Sequence, residues 1–326
     1  MITYKGWDRN ASISIVCAFL LLVGIPVGAA PAEEVRLTVS RLVLAYPQAT
    51  EDIYCGTVPA QEITWRSENP AVIEVADGVV TALAPGETEI TASWNGQVST
   101  CAVSCLTGSQ EEFQNFYGPE RHQPMRTPVE PQPGACHFYD DAGFIGDSVT
   151  YQLLFTQGRE EAIGAPVPLF RRSASVKGFT DYSWNVMFRG AEWKIEEAVA
   201  ASGVNKVFIM LGANDLGVRS PAETFDNFQT MIDRIREKAP QVEIYIESVL
   251  PSGLAQKSQD TAAYNELLRQ YASDNQFHFV EVAKYFEAPD GCMPNSYSAD
   301  GDAHLTETGI RCWFQVLQNY AQSQQE

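Results

Sequence analysis

Between residues 33 and 106, apolar and polar positions alternate in short runs. The segments "RLTVSRLVLAY", "EITWRS", "VIEVADGVVTALAPG" and "TEITASWNGQVSTCAVSC" break at Asp-Gly, Pro-Gly and Asn-Gly. A two-residue period puts every second side chain on one face of a strand. Turn signals roughly every ten residues then predict a small β-sandwich. Residues 107–135, rich in proline, glutamine and glutamate, carry no periodicity and read as a semi-extended linker. From Cys136 onward the pattern changes. Apolar strand candidates ("HFYDDAGFIG", "PVPLFRRSAS", "KVFIMLG", "VEIYIESVL", "FHFVEV") alternate with helical stretches near 149–158, 190–202, 222–238 and 259–275, and a last helix follows Thr306. Five strands separated by helices predict a parallel sheet with helices on both faces, whose ligands bind at the carboxyl ends of the strands.

The first 32 residues differ again. Lys5 and Arg9 precede an apolar run from Ile13 to Val27, and small residues follow. This is the order of an export signal, with Ala30-Pro31-Ala32 or Val27-Gly28-Ala29 as cleavage site; an uncleaved signal anchor is the alternative. Export changes the expectation for cysteine. Beyond Cys17 the chain carries six, Cys55, Cys101, Cys105, Cys136, Cys292 and Cys312, an even number that suggests disulfides. Cys292 and Cys312 are the expected pair, because they would bracket the loop around His304. No cysteine–histidine spacing suits zinc, and neither metal nor organic cofactor is expected.

Charge removes one class of partner. A formal net charge of -19 repels phosphate backbones and no basic cluster stands out, so nucleic acid is not an expected partner. With 45% hydrophobic and 19% charged residues, the chain can build packed cores.

The alternating N-terminal stretch carries Trp65, the turn Ser67, Asn69 and Pro70, the hairpin "DGVVTA" from Asp77, and Ala84-Pro85-Gly86. In these features residues 33–106 resemble bacterial immunoglobulin-like domains of group 2. The resemblance implies an all-β sandwich acting as spacer or as a contact to a cell-surface polymer, with Trp65 in its core.

The strand ends of the second region carry candidate chemistry. The first ends in "GDS", placing Ser148 at a strand-to-helix junction beside unpaired helix amides. The third ends in "GAND", bringing Asn214 and Asp215 to the same sheet edge. The third element is "SADGDAH" before the last helix. Of four histidines, only His304 combines a sheet-edge loop with nearby acids; His122 lies in the linker, His137 at the domain start and His278 in the fifth strand.

These three blocks, in this order, resemble the SGNH/GDSL esterases over about residues 138–323. The resemblance implies a flavodoxin-like fold for residues 136–326 and a serine hydrolase acting on an acylated small molecule or carbohydrate, often an acetyl ester. It makes Ser148 the nucleophile and His304 the base, and it assigns the Ser148 amide and Asn214 to the oxyanion hole. Two positions depart from the pattern. The usual aspartate three residues before the histidine is Gly301 here, so the orienting acid is Asp300 or Asp302. Asp300 is the favoured choice, reaching the ring across a turn at Gly301. The candidate for the second oxyanion glycine is Gly178, with a serine amide near Ser173 as alternative. The same machinery would serve an O-acyltransferase to a polysaccharide, and a non-catalytic polysaccharide-binding protein is a further alternative. The N-terminal signal makes the expected location secreted or cell-surface.

Overall fold

Strand ends converge on one edge of a five-stranded sheet. The computed structural model describes residues 35–325 apart from 45–46, 54–57, 107–123, 133 and 135. The expected signal segment, Cys17, Cys55, His122 and most of the expected linker lie outside the described residues. The sheet contains β9 (Ala142–Gly146), β10 (Val167–Phe170), β13 (Lys206–Met210), β14 (Glu243–Glu247) and β15 (His278–Val280), in the order β10-β9-β13-β14-β15. Every neighbouring pair is parallel, and Gly146 is in register with both Phe170 and Met210. The residues that follow those three strands therefore leave the sheet side by side.

All five residues of β9 are buried, as are four of five in β13 and β14, so side chains on both faces of these strands are covered. The α-helices among the described residues are α1 (Ser148–Phe155), α2 (Arg159–Ile163), α3 (Val176–Thr180), α4 (Ile195–Ser202), α5 (Pro221–Lys238), α6 (Ala255–Asn275) and α7 (Glu307–Gln325). They pack in two sets. In one, α7 lies against α1 and α2; in the other, α5 lies against α3, α4 and α6. Ser220 caps α5 with a reciprocal Glu223 bond, and Pro221 occupies its first turn, which explains the sharp start of that helix. Among the described residues, no helix is long and apolar enough to cross a membrane.

The N-terminal described region is β-rich. One sheet has the order β3-β6-β7-β1-β8, built from β1 (Val39–Leu44), β3 (Thr64–Ser67), β6 (Gly86–Trp94), β7 (Gln97–Cys105) and β8 (Arg126–Pro128). A second has the order β2-β5-β4, built from β2 (Thr50–Asp52), β4 (Ile73–Ala76) and β5 (Val79–Ala82). The β4–β5 hairpin of the second sheet turns at Asp77-Gly78 and the β6–β7 hairpin of the first at Asn95-Gly96, where φ is positive at both residues. Such turns match the twist of antiparallel strands, and asparagine, aspartate and glycine tolerate the required backbone best.

Three expectations need correction. Within the stretch expected to be a linker, Arg126–Pro128 forms edge strand β8 against β1. Its proline is tolerated because an edge strand leaves one row of amides unused. The chain then binds the α/β region, with the Met125 amide donating to the Glu287 carbonyl at 2.7 Å and Asn319 donating to the Val129 carbonyl at 2.9 Å. The described residues fall within one compact unit.

A helix is expected from residue 190, but β11 (Val186–Phe188) and β12 (Ala191–Trp193) form a hairpin there. Arg189 and Gly190 adopt positive φ, which turns the chain back and delays the helix to Ile195. Finally, Cys101, Cys105, Cys136, Cys292 and Cys312 form no disulfide. Cys312 is buried on α7 with its thiol directed to the Tyr285 carbonyl, and burial pushes its pKa up to about 12. The expected Cys292–Cys312 bridge is absent.

Candidate active site

Asp147 begins the site by ending β9 and capping α1. One carboxylate oxygen accepts from the Val149 amide at 2.9 Å, closing the first turn, and Ser148 is thereby set at the helix start. The other oxygen accepts from Asn214 Nδ2 at 2.9 Å. Asp147 is almost wholly buried, and that burial raises its carboxyl to about 6 against the pull of the Val149 amide.

The second amide hydrogen of Asn214 goes to the Ala174 carbonyl at 2.9 Å, so both of its donors are engaged. Next to it, fully buried Asp215 accepts from the amides of Val176 at 2.7 Å and Lys177 at 3.2 Å. The loop after β13 thus clamps the first turn of α3 with a carboxylate at its N-terminus. Burial raises the Asp215 carboxyl, while those two amides oppose the rise.

The third donor in that turn is the Gly178 amide, and it is not open. It donates to Ser175 Oγ at 3.0 Å, the residue is buried, and Trp184 lies so close that a Cβ there would fall 1.6 Å from its ring. Trp184 is itself covered by the Arg171 guanidinium, 5.0 Å from the ring centre. Gly178, the candidate second oxyanion donor, thus has its amide already bonded within the turn.

Across the cleft, residues 298–305 form a loop closed by a bridge between Ser298 and Leu305. His304 projects from it to place Nε2 2.9 Å from Ser148 Oγ. Its Nδ1 lies 2.6 Å from Asp300 Oδ2. The other oxygen of Asp300 accepts from the amides of Asp302 at 2.9 Å and His304 at 3.3 Å. Burial works to raise the Asp300 carboxyl, but the His304 ring and these amides outweigh it and hold it below the usual carboxylate range. Gly301, at φ 74°, makes the turn that brings Asp300 back to the ring. The side chain of Asp302 points elsewhere, onto Lys257 Nζ at 2.8 Å.

The sequence gives no prior reason to single out Gln152. One helical turn beyond Ser148, its side-chain amide donates to the Leu305 carbonyl at 3.2 Å and accepts from the Leu305 amide at 3.0 Å. This two-point contact fastens the residue after His304 to the helix carrying Ser148. The i,i+4 spacing that sets Ser148 and Gln152 on one face is the only available signal. The other two described histidines stand apart, His278 in edge strand β15 stacked on Tyr245 and His137 bonded to Asp140. Tyr182 is held between Lys194 and Arg234.

A hydroxyl, imidazole and carboxylate in hydrogen-bonded series, at a helix N-terminus, have the parts needed for acyl transfer through a serine nucleophile. The model of the GDSL-like lipase/acylhydrolase family matches residues 144–312, slightly more than half of the chain and including all three side chains. The chain belongs to that family. At family level this makes the GDSL-like protein an ester hydrolase with an α/β fold. Among solved structures it is similar to a GDSL-like lipase from Bacteroides thetaiotaomicron, at 18% identity over 56% of this chain and 87% of the other, with a TM-score of 0.44. A member of the lipolytic G-D-S-L family from Veillonella parvula is 19% identical over 54% and 95%, with a TM-score of 0.42. A carbohydrate esterase of family 3 from Talaromyces cellulolyticus is 13% identical over 54% and 93%, with a TM-score of 0.40. At these identities and scores the likenesses add nothing to the family membership. A search of curated proteins returns no match.

Proposed function

We propose that this GDSL-family protein is an exported serine esterase that removes small acyl groups, acetyl foremost, from carbohydrate or cell-wall polymer. The observation that carries the catalytic reading is the unbroken series Ser148 Oγ–His304 Nε2 at 2.9 Å and His304 Nδ1–Asp300 Oδ2 at 2.6 Å. Asp300 accepts a hydrogen bond from Nδ1–H, which leaves Nε2 as the acceptor for the serine hydroxyl.

The hydroxyl oxygen attacks the ester carbonyl while His304 takes its proton. The Ser148 amide at the start of α1 stabilises the oxyanion, as does Asn214 once the substrate oxygen replaces the Ala174 carbonyl on its second donor. His304 returns the proton to the departing alcohol and an acyl-enzyme remains. Water then adds with His304 as base, and the free acid leaves.

The acetyl and carbohydrate preference rests on the sequence resemblance, and export rests on the charged, apolar and small-residue order of the first 32 residues. The β-rich region is proposed as a bacterial immunoglobulin-like module, on its Trp65 strand and its Asp-Gly and Asn-Gly hairpins. Trp65 supports a packing role, since its Nε1 is tied to the Ala60 carbonyl at 2.9 Å.

Release of p-nitrophenol from acetyl and octanoyl esters by the full chain tests the proposal. Acetyl-ester turnover should fall to background in Ser148→Ala and by about 10³-fold or more in Asp300→Asn, which presents the wrong hydrogen-bonding partner to Nδ1. Undiminished turnover in Ser148→Ala would place the activity elsewhere.

A further inference from the structure

The family pattern places an aspartate three residues before the histidine, whereas this chain has one at four and another at two. Asp300 reaches the ring, which leaves Asp302 without a part in the reaction. Its surroundings supply one. Asp302 Oδ2 is 2.8 Å and Oδ1 3.1 Å from Lys257 Nζ, on the first turn of α6. Ser252 Oγ, almost wholly buried, donates to Oδ1 at 2.5 Å and also accepts from the Leu254 amide at 2.9 Å. The backbone repeats the attachment, since the Gly253 amide donates to the Asp302 carbonyl at 3.1 Å.

The two chains touch so closely here that a Cβ on Gly253 would lie 2.1 Å from the Gly301 carbonyl oxygen. On its inner side, the Asp302 amide is the 2.9 Å donor to Asp300 Oδ1, the oxygen that does not hold the imidazole. Asp302 therefore has two ends. Its side chain is anchored to the start of α6, and its N–H aims the carboxylate of Asp300.

We propose that Lys257 and Asp302, with Ser252, are positioning residues that hold the His304 loop against α6 and thereby set the Asp300–His304–Ser148 alignment. The inference rests on the reading of Ser148 and His304 as nucleophile and base. An exposed ion pair ordinarily contributes little. This one differs in that the Lys257 side chain retains only 18% of its exposure, and its partner shares a buried hydroxyl and a rigid backbone contact. Its effect is expected in geometry, where displacement of a reacting group by about 1 Å costs on the order of 10²-fold in rate.

The test compares Lys257→Met, Asp302→Asn, the double variant and Lys257→Arg in the full chain. Rates are normalised to the serine that reacts with a fluorophosphonate, and the imidazole ¹H–¹⁵N signals of the four histidines are recorded. The proposal expects kcat on p-nitrophenyl acetate to fall by about tenfold or more in each single variant with KM within about twofold. The double variant should be no worse than the worse single, because either change removes the same contact. Lys257→Arg should keep most of the activity. The His304 signals should move while those of His278, stacked on Tyr245, stay.

Unchanged kcat per reactive serine alongside a lowered Tm would reduce the pair to a stability contact and overturn the proposal, as would losses that multiply in the double variant. If the parent chain neither turns over ester nor labels at Ser148, the catalytic reading fails separately. The imidazole signals then decide alone: unmoved His304 signals in Lys257→Met overturn the positioning role, and moved signals uphold it.

Discussion

Asp300 and Asp302 are chemically identical and two positions apart, yet their surroundings divide their roles. Asp300 accepts from the His304 ring and two amides, while Asp302 accepts from an ammonium and a hydroxyl. An alternation argument, which would point residues 302 and 304 to one side, fails because Gly301 turns the chain at positive φ. At the same scale Gln152 is a side chain whose contribution can be measured. Gln152→Ala leaves the Leu305 amide and carbonyl without their side-chain partner, at a cost of about 1–3 kcal/mol. It should lower kcat through the His304 position while KM stays within about twofold. Steady-state kinetics together with thermal melts check both, and an unchanged kcat would make Gln152 a stabilising contact only.

The site is assembled where short elements approach one another closely. The end of β9, the start of α3 and the loop after β13 are joined through Asp147, Asn214 and Asp215 rather than by apolar packing alone. The turn before α6 meets the His304 loop at Gly253, where no side chain fits. Gly253→Ala forces those two segments apart, an overpacking change of about 1–3 kcal/mol. Its kcat is expected to fall by about 10²-fold, more than its melting temperature alone would suggest. The check is kcat per fluorophosphonate-reactive serine at a temperature well below the melt, and full specific activity there would refute the expectation. The β11–β12 hairpin and strand β8 belong to this scale too. Each has only three residues per strand, too short to show a period, and each is decided by its neighbours.

For the whole molecule, the buried carboxylates predict an unusual pH dependence of stability. Burial raises Glu247 from 4.5 to about 8, with only the Trp313 indole N–H, 2.9 Å away, favouring its charge. Burial likewise raises Glu287 to about 7 and Asp147 to about 6. Below the ordinary value, Glu247 is protonated both folded and unfolded, and its contribution is fully present. As pH rises towards about 8 the unfolded chain ionises while the folded glutamate stays neutral, so stability is lost across that window. Carboxylates held low, Asp181 at about 2 by Ser183 and Asp300 chiefly by His304, act in the opposite sense and lose their contribution as pH falls. Stability should therefore peak on the acid side of neutral. Glu247→Gln keeps an acceptor for Trp313 and removes one titration. Its Tm should match the parent near pH 4.5 and exceed it at pH 8, each kcal/mol appearing as about 2–4 °C. Parallel Tm–pH curves for the two proteins would contradict this assignment.

Local physics made much of the molecule legible without coordinates. Apolar runs marked all five parallel strands, most plainly the three central ones, β9, β13 and β14, whose two faces are both covered. Asp-Gly and Asn-Gly marked two hairpins, since few other residues accept that backbone. The position of Ser148 at a strand-to-helix junction followed from Gly146 and Asp147. What the sequence could not decide were relations between distant segments whose local signals are weak or ambiguous. The partner of each aspartate, the engagement of the Gly178 and Asn214 donors, the Gln152–Leu305 contact and the absence of a Cys292–Cys312 bridge all depend on where separate loops meet. Those meetings follow from the packing of whole helices and strands, and a hydrogen bond formed or missed there turns on displacements of about an ångström.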